Sequence, residues 1–379
     1  MFELFIIILF TFLTLYVLII GYLSRGLNHL NEHYISEKKT NVSVIVCAHN
    51  EEDNISGCLE ALLAQDYPKK NLEFIIVDDR STDKTGELID IYRKKDKRIK
   101  KITITDILAY FAPKKRAIDT AIKQAKGEII LLTDADGRPS PNWVNEMNAH
   151  FTDSTDMIIG YAPYNIEPTY SIPKKLLALE YLSHAAVAAA STGIGIPLTC
   201  VGTNMGYRKK LYEDVNGFGE YKHILSGDDD LFLTRVREFN RYSINYVTSI
   251  NSQVKNDPPA TIDKFIQQRI RYASKGLLYP KNVSLGLLLY FTFNVLLLFG
   301  LLFGLFSGDL FRYALTALLI KGISDFLFMN KAARTLHDLR SMDVFLIGEI
   351  LHIPYVVLFG IMGQIKRFNW GGTKSEAMR

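Results

Sequence analysis

The segment "LSGDDDLFL" (225–233) sets Asp228, Asp229 and Asp230 side by side between a glycine and an apolar run. Three adjacent carboxylates repel one another, so stability alone gives no reason for them. Such a cluster can hold a divalent cation, act as a general base, or start a helix, because Asp oxygens accept the orphan N–H groups of a first turn. "LFLTRVREF" behind it reads as that helix, and one or two of the three suffice to cap it. Polar clusters recur upstream: "AHNEE" follows "VSVIVC", "DDRSTD" overlaps the end of "LEFIIVDD", and "DADGRP" follows "EIILLT". At one edge of a sheet these would form an acidic rim, and its hard oxygen ligands suit Mg2+ or Mn2+. The chain has neither G-x-G-x-x-G after the first of these runs nor G-x-x-x-x-G-K-[ST], so the backbone phosphate cradles of dinucleotide and P-loop sites are missing. A nucleotide diphosphate would be held through the metal instead.

The elements that must position these clusters alternate. "VSVIVCA" (42–48), "LEFIIVDD" (72–79), "IKKITIT" and "EIILLTDAD" (128–136) read as buried strands, since parallel strands covered on both faces are near-continuous apolar runs. "NISGCLEALLAQ" (54–65), "KTGELIDIYRKKD" and "KKRAIDTAIKQA" between them read as helices. Such alternation predicts an α/β domain with a parallel sheet and helices on both faces. Ligands then bind beyond the carboxyl ends of the strands, which is where the acidic clusters fall.

The chain is long enough for one catalytic domain and a smaller unit. A net charge of +4 without a basic face of interleaved aromatics leaves nucleic acid a poor partner. Cys47, Cys58 and Cys200 show neither disulfide nor zinc spacing, as in a reducing compartment.

Residues 4–23 are uncharged, long enough to cross about 30 Å of hydrocarbon, and lack the cleavage features of a secretory signal. With Glu3 before them and Arg25 after, the N-terminus is expected outside. Three more apolar candidates follow at 284–306, 310–329 and 344–363. Lys321 and Asp325, four apart, can neutralise each other in the second; Glu349 and His352 in the third can line an acceptor path or pair inside the bundle. Basic residues 331–340 favour a cytoplasmic loop, whereas four spans would place Lys366, Arg367 and Lys374 outside. Residues 344–363 are therefore left open between a span and a re-entrant or interfacial segment. The organisation expected is an anchor (1–25), an α/β domain (40–255), an amphipathic interfacial helix (260–280) and a C-terminal bundle of three candidate helices (284–365).

"VIVCAHNEEDNI", "VDDRSTDKT", "PKKRAIDTA", "LLTDAD", "SGDDDLF" and "QQRIRY" occur in the order and at the spacings of membrane-bound family 2 glycosyltransferases, and the chain resembles that family over residues 42–272. The resemblance implies the GT-A fold, a Rossmann-like nucleotide-sugar domain, and an inverting displacement. By that resemblance Ala48, Asn50 and Glu51 line the nucleotide pocket, Asp79 recognises the base, and Lys114 lies near the nucleotide. Asp134 and Asp136 stand at the ribose, diphosphate and metal. Aligning "GDDD" with the family's Gly-acid-Asp pattern makes Asp229 the general base and Asp228 its neighbour, leaving Asp230 as a cap or solvated. Gly202 and Thr203 resemble a Gly-Thr pair that borders the acceptor, although a structural glycine loop would look the same.

Residues 261–280 read as a helix lying along the membrane surface. At about 100° per residue, Ile262, Phe265, Ile266, Ile270, Ala273 and Leu277 share one face, and Gln268 and Arg271 fall on the other. Arg271 is then placed to meet a diphosphate and Gln268 the acceptor or the base, whereas Arg269 falls among the apolar positions. Tyr272 stands where the family usually has Trp and keeps an aromatic face for a sugar.

The expected activity is transfer from a nucleotide sugar, a UDP-sugar by preference, to a lipid or lipid-linked acceptor, with the α/β domain cytoplasmic and the chain integral to the cell (inner) membrane. The alternative is a processive polysaccharide synthase, for which four spans are few unless the protein forms a homo-oligomer. A non-catalytic scaffold of the same fold would be expected to have lost acidic residues from the rim, and this chain keeps them all.

Overall fold

A computed structural model describes residues 2–30, 36–165, 171–370 and 373–374. The chain divides into a sheet unit, residues 29–165 with 191–258, and a helical unit, residues 1–28, 166–190 and 259–379.

In the sheet unit the strands are β1 (Val42–Ala48), β2 (Leu72–Asp79), β3 (Ile99–Ile104), β4 (Ile129–Asp134), β5 (Arg138–Pro139), β6 (Met157–Gly160), β7 (Met205–Arg208), β8 (Ile244–Val247) and β9 (Val254–Lys255). Seven of them make one sheet in the order β3-β2-β1-β4-β7-β6-β8, and β5 pairs with β9 as a separate ribbon. Val44, Val46, Phe74, Ile76 and Leu131 are wholly buried, each contributing about 1.5–3 kcal/mol of transfer free energy. Parallel register sets Ala48 opposite Asp78 and Cys47 opposite Asp134. The acidic strand ends therefore lie along one edge.

The expectation of a parallel sheet needs correcting at one strand, β7; β6 and β8 beyond it pair parallel. β7 runs antiparallel to β4, with Leu132 opposite Met205 and Ile129 opposite Arg208. The segment Gly202–Asn204 enters β7 at the carboxyl edge of β4, and a strand entered from that edge can only run backwards. Cys47, Cys58 and Cys200 are all free thiols.

In the helical unit, Phe2–Gly26, Lys281–Gly304 and Leu339–Ile365 are long and apolar enough to cross a membrane. Leu9, Leu13, Phe293, Leu297 and Ile353 of these helices form a common core with Ala317 of the helix Gly308–Thr335. The helix Gly308–Thr335 has 28 residues but is less apolar, with Lys321 and Asp325 in its interior. The Lys321 ammonium, fully buried, donates to Asp325 (2.7 Å) and also to Glu349 (2.6 Å), while the Tyr16 hydroxyl donates to Asp325 (2.6 Å). Glu349 is thus paired with Lys321, and His352 stacks on Tyr355.

The amphipathic helix runs Ile262–Ala273, capped by the Thr261 side chain, and stops short of residue 280. Gly276 and Pro280, which begins the next helix, disfavour its continuation. Arg269 is buried on the apolar side because Glu180 meets it there: its guanidinium pairs with that carboxylate (2.5 Å), and the Tyr355 hydroxyl donates to Glu180 as well.

Candidate active site at the carboxyl edge of the sheet

The loops after β1 and β2 are laced together. His49 Nδ1–H donates to the Asp79 carbonyl (2.6 Å), Asn50 N–H to Ser81 Oγ (3.1 Å) and Glu51 N–H to Thr85 Oγ1 (2.8 Å); Asn50 Oδ1 accepts from Thr82 N–H (2.8 Å). Asn50 (φ 55°) and Arg80 (φ 60°) both sit in the left-handed region, which Asn tolerates and Arg seldom adopts. Arg80 spends that strain on a bidentate pair with the buried Asp79 carboxylate, at 2.8 and 3.0 Å. Sequence reading missed this partner because the two residues adjoin, and only the backbone angle turns the guanidinium back.

The centre of the rim is Lys114. It lies at the start of helix Pro113–Gln124, and its ammonium stands 2.8 Å from both Asp134 Oδ1 and Asp228 Oδ2. Burial works against its charge, but the two carboxylates outweigh that and hold the ammonium well above its ordinary range. Asp134, closing β4, also accepts from Thr203 Oγ1 at 2.5 Å. Gly202 N–H donates to Asp229 Oδ2 (3.2 Å), and a Cβ on Gly202 would come within 3.2 Å of Asp228 Oδ2. The next residue, Asn204, fixes this segment: it accepts from the wholly buried Trp143 indole (2.9 Å) and donates to the Tyr161 and Ser252 carbonyls.

The acid triplet divides its tasks differently from the expectation for Asp230. Asp229 is the N-cap of helix Asp230–Glu238, its Oδ1 accepting from Asp230 N–H (2.7 Å). Asp230 is buried at the first helical position rather than solvated. Both Asp229 oxygens thus accept a backbone N–H, which orients the carboxylate. Gly227 before the triplet has φ 81°, and a Cβ there would stand 2.5 Å from Leu231 Cγ. Gly227→Ala is therefore expected to destabilise the fold by about 1–3 kcal/mol, seen as a lowered thermal midpoint in detergent.

Among the described residues, no group of three or more His, Cys, Asp or Glu side chains is arranged to hold a metal by itself. The donor set nevertheless fits a hard divalent ion completed by phosphate oxygens, which typically takes one or two carboxylates from the protein. Burial first, then the charges of Asp134 and Glu51, push the Asp136 carboxyl up to about 7. The Lys114 charge acts in the opposite direction and does not outweigh them.

The predicted residues Ala48, Asn50, Glu51, Asp79, Lys114, Asp134, Asp136, Gly202, Thr203, Asp228 and Asp229 all lie in the sheet unit. Lys114, Asp134, Thr203, Gly202, Asp228 and Asp229 are in direct contact through the pairs above. Gln268, Arg271 and Tyr272 lie in the helical unit, where Gln268 Oε1 accepts from Arg269 (2.6 Å) and the Arg271 guanidinium lies over the Tyr272 ring at 5.0 Å. The His184 ring meets the Tyr272 ring edge-on at 6.1 Å.

The α/β sheet with its acidic carboxyl edge is of the GT-A kind. Residues 43–215 match the family model for glycosyl transferase family 2, and this segment of the chain is a family 2 glycosyltransferase domain. Over 289 residues the chain is 28% identical to a dolichyl N-acetyl-α-D-glucosaminyl phosphate 3-β-D-2,3-diacetamido-2,3-dideoxy-β-D-glucuronosyltransferase of Methanococcus voltae, covering 70% of this chain and 80% of that protein. It is 36% identical over 134 residues to a UDP-Glc:α-D-GlcNAc-diphosphoundecaprenol β-1,3-glucosyltransferase of Escherichia coli, covering 35% of this chain and 49% of that one. Among solved structures, a mannosyltransferase of Pyrobaculum calidifontis in complex with GDP-Man and Mn2+ superposes with a TM-score of 0.57 at 18% identity, covering 96% of this chain and 97% of that chain. That likeness is one of fold.

Proposed function

We propose that this protein is a membrane-bound, metal-dependent, inverting glycosyltransferase. It transfers a sugar from a UDP-sugar to a hydroxyl of a lipid-linked acceptor at the cytoplasmic face of the cell membrane. The observation that carries the reading is the Lys114 bridge: one ammonium joins Asp134, on the nucleotide side, to Asp228, beside the acid that would take the acceptor proton. The two relatives whose names specify lipid-linked acceptors support the acceptor class, and the E. coli relative supports UDP.

Asp229 accepts the proton of the acceptor hydroxyl as its oxygen bonds to the anomeric carbon. The bond from that carbon to the diphosphate oxygen breaks, and its electron pair leaves with the nucleoside diphosphate. Asp134 and Asp136 would hold a divalent ion, which when bound stabilises the charge developing on the leaving diphosphate. Lys114 keeps Asp134 and Asp228 together at fixed separation, and Thr203 and Gly202 orient Asp134 and Asp229. Ala48, Asn50, Glu51 and Asp79 form the nucleotide side of the pocket.

The test uses the full chain in membranes with Mg2+ or Mn2+, radiolabelled UDP- and GDP-sugars, and a native lipid extract. One lipid-soluble labelled product from a UDP-sugar is expected. A ladder of products would replace this reading with processive synthesis, and no product with any donor would overturn it. Chelation with EDTA is expected to reduce transfer to background and added Mn2+ or Mg2+ to restore it; full transfer after chelation would remove the metal from the scheme.

A further inference from the structure

The residue after Lys114 is also a lysine, and nothing in the transfer scheme uses it. Lys115 is 1% exposed, which for an ammonium costs several kcal/mol unless its donors are satisfied. Its ammonium donates to three backbone carbonyls, those of Tyr221 (2.7 Å), Ile224 (3.0 Å) and Ser226 (2.9 Å). Three donors on one nitrogen meet three acceptors from one loop. Ala112 N–H donates to the Lys222 carbonyl between them (2.8 Å), and the Phe218 ring lies 5.7 Å from the Lys115 ammonium. Residues 112–115 thus take hold of four carbonyls within residues 221–226.

That loop delivers the acids. Ser226 is followed by Gly227 in its left-handed turn, then by Asp228 and Asp229. Lys114 grips the Asp228 side chain while Lys115 grips the backbone leading to it. Pro113 at the first helical position stiffens the platform from which both reach. An unliganded loop could leave its carbonyls to water at lower cost than burying a cation. The buried ammonium instead gives this loop one fixed path.

We infer that Lys115 is the positioning residue of the acid loop, holding residues 221–226 so that Asp228 and Asp229 present their carboxylates to the transfer centre. This rests on the proposed roles of those acids. It assigns Lys115 no contact with donor or acceptor, so its loss should move turnover and spare nucleotide binding. A misplacement of the acids by about 1 Å is enough to cost ~100-fold in turnover.

The experiment compares wild type, Lys115→Met and Lys115→Gln as full chains in membranes. Three readouts are taken: transfer from the UDP- and GDP-sugar panel into lipid extract, binding of UDP and GDP with Mn2+ by calorimetry, and amide hydrogen exchange by segment. For Lys115→Met the expected result is kcat lower by ~100-fold, unchanged Mn2+–nucleotide affinity, and faster exchange confined to residues 219–230. Lys115→Gln, with two donors and no charge, should fall between the two and covers the case in which the Met variant does not fold. Wild-type kcat in either folded variant overturns the inference. So does a joint loss of kcat, nucleotide affinity and protection across β1, β2 and β4, which marks a residue needed only for the fold. Asp229→Asn run alongside separates the two ideas: turnover retained there refutes the base assignment, while the exchange pattern still decides whether Lys115 holds the loop.

Discussion

Asp229→Asn is expected to lower transfer by about 10²–10⁴-fold, the range that a general base contributes, while leaving Mn2+–nucleotide affinity near that of wild type. The substitution is almost isosteric. Asn keeps an oxygen that can accept from Asp230 N–H or Gly202 N–H, so the helix cap survives in part and the loss reports chemistry rather than unfolding. The neighbouring acids give the contrast. Asp228→Asn weakens the pair with Lys114, and Asp230→Asn alters a buried first-turn residue; each changes stability as well as rate. Initial rates with saturating donor, alongside calorimetry for the nucleotide, check this. Near-full turnover in Asp229→Asn would move the base elsewhere in the triplet.

The second large effect belongs to Lys114→Met. Removing that ammonium strands two carboxylates, Asp134 and Asp228, each 2.8 Å from it. Breaking a buried pair typically costs about 3–5 kcal/mol, and the low end applies because 21% of the Lys114 side chain is exposed. Transfer should fall by at least ~100-fold, since both carboxylates lose their placement. The pH dependence has a definite sign. With its folded-state pKa raised above 10.5, Lys114 contributes its full stability below that pH and loses the contribution only as pH rises through the higher folded value. At neutral pH the wild type therefore has all of it and the variant none. Acidification protonates the stranded carboxylates and relieves their repulsion, so the gap in thermal midpoint should be wider at pH 8 than at pH 5. A gap that widens on acidification would contradict the bridge.

The first half of the sheet was legible because β1, β2 and β4 are buried on both faces, and "VSVIVCA", "LEFIIVDD" and "IILLTD" leave little choice of element. β6, β7 and β8 have four residues each, too few for a periodic pattern, so this half of the sheet and the reversal of β7 within it had no signal. At the site, the acids could be read from their types and order. Their cations could be read only in part. Lys114 stands in a recognisable motif, but Lys115 and Arg80 are defined by carbonyls and a backbone angle that one-dimensional spacing does not encode. Arg269 shows the same limit: helical periodicity placed it on the apolar side, and only Glu180, 89 positions away, says why it can stay there.

The Lys321 cluster has a consequence for how the chain is made. A ribosome delivers Gly308–Thr335 before Phe345–Ile365, so for a time Lys321 has Asp325 but not Glu349. A buried ammonium without a partner costs several kcal/mol. Asp325 offsets part of that within the same helix, and Tyr16, already synthesised with the first helix, can engage Asp325 at once. Glu349 completes the set last. The neutralisation of Lys321 is thus begun within its own helix, supported by the first helix and completed by the last.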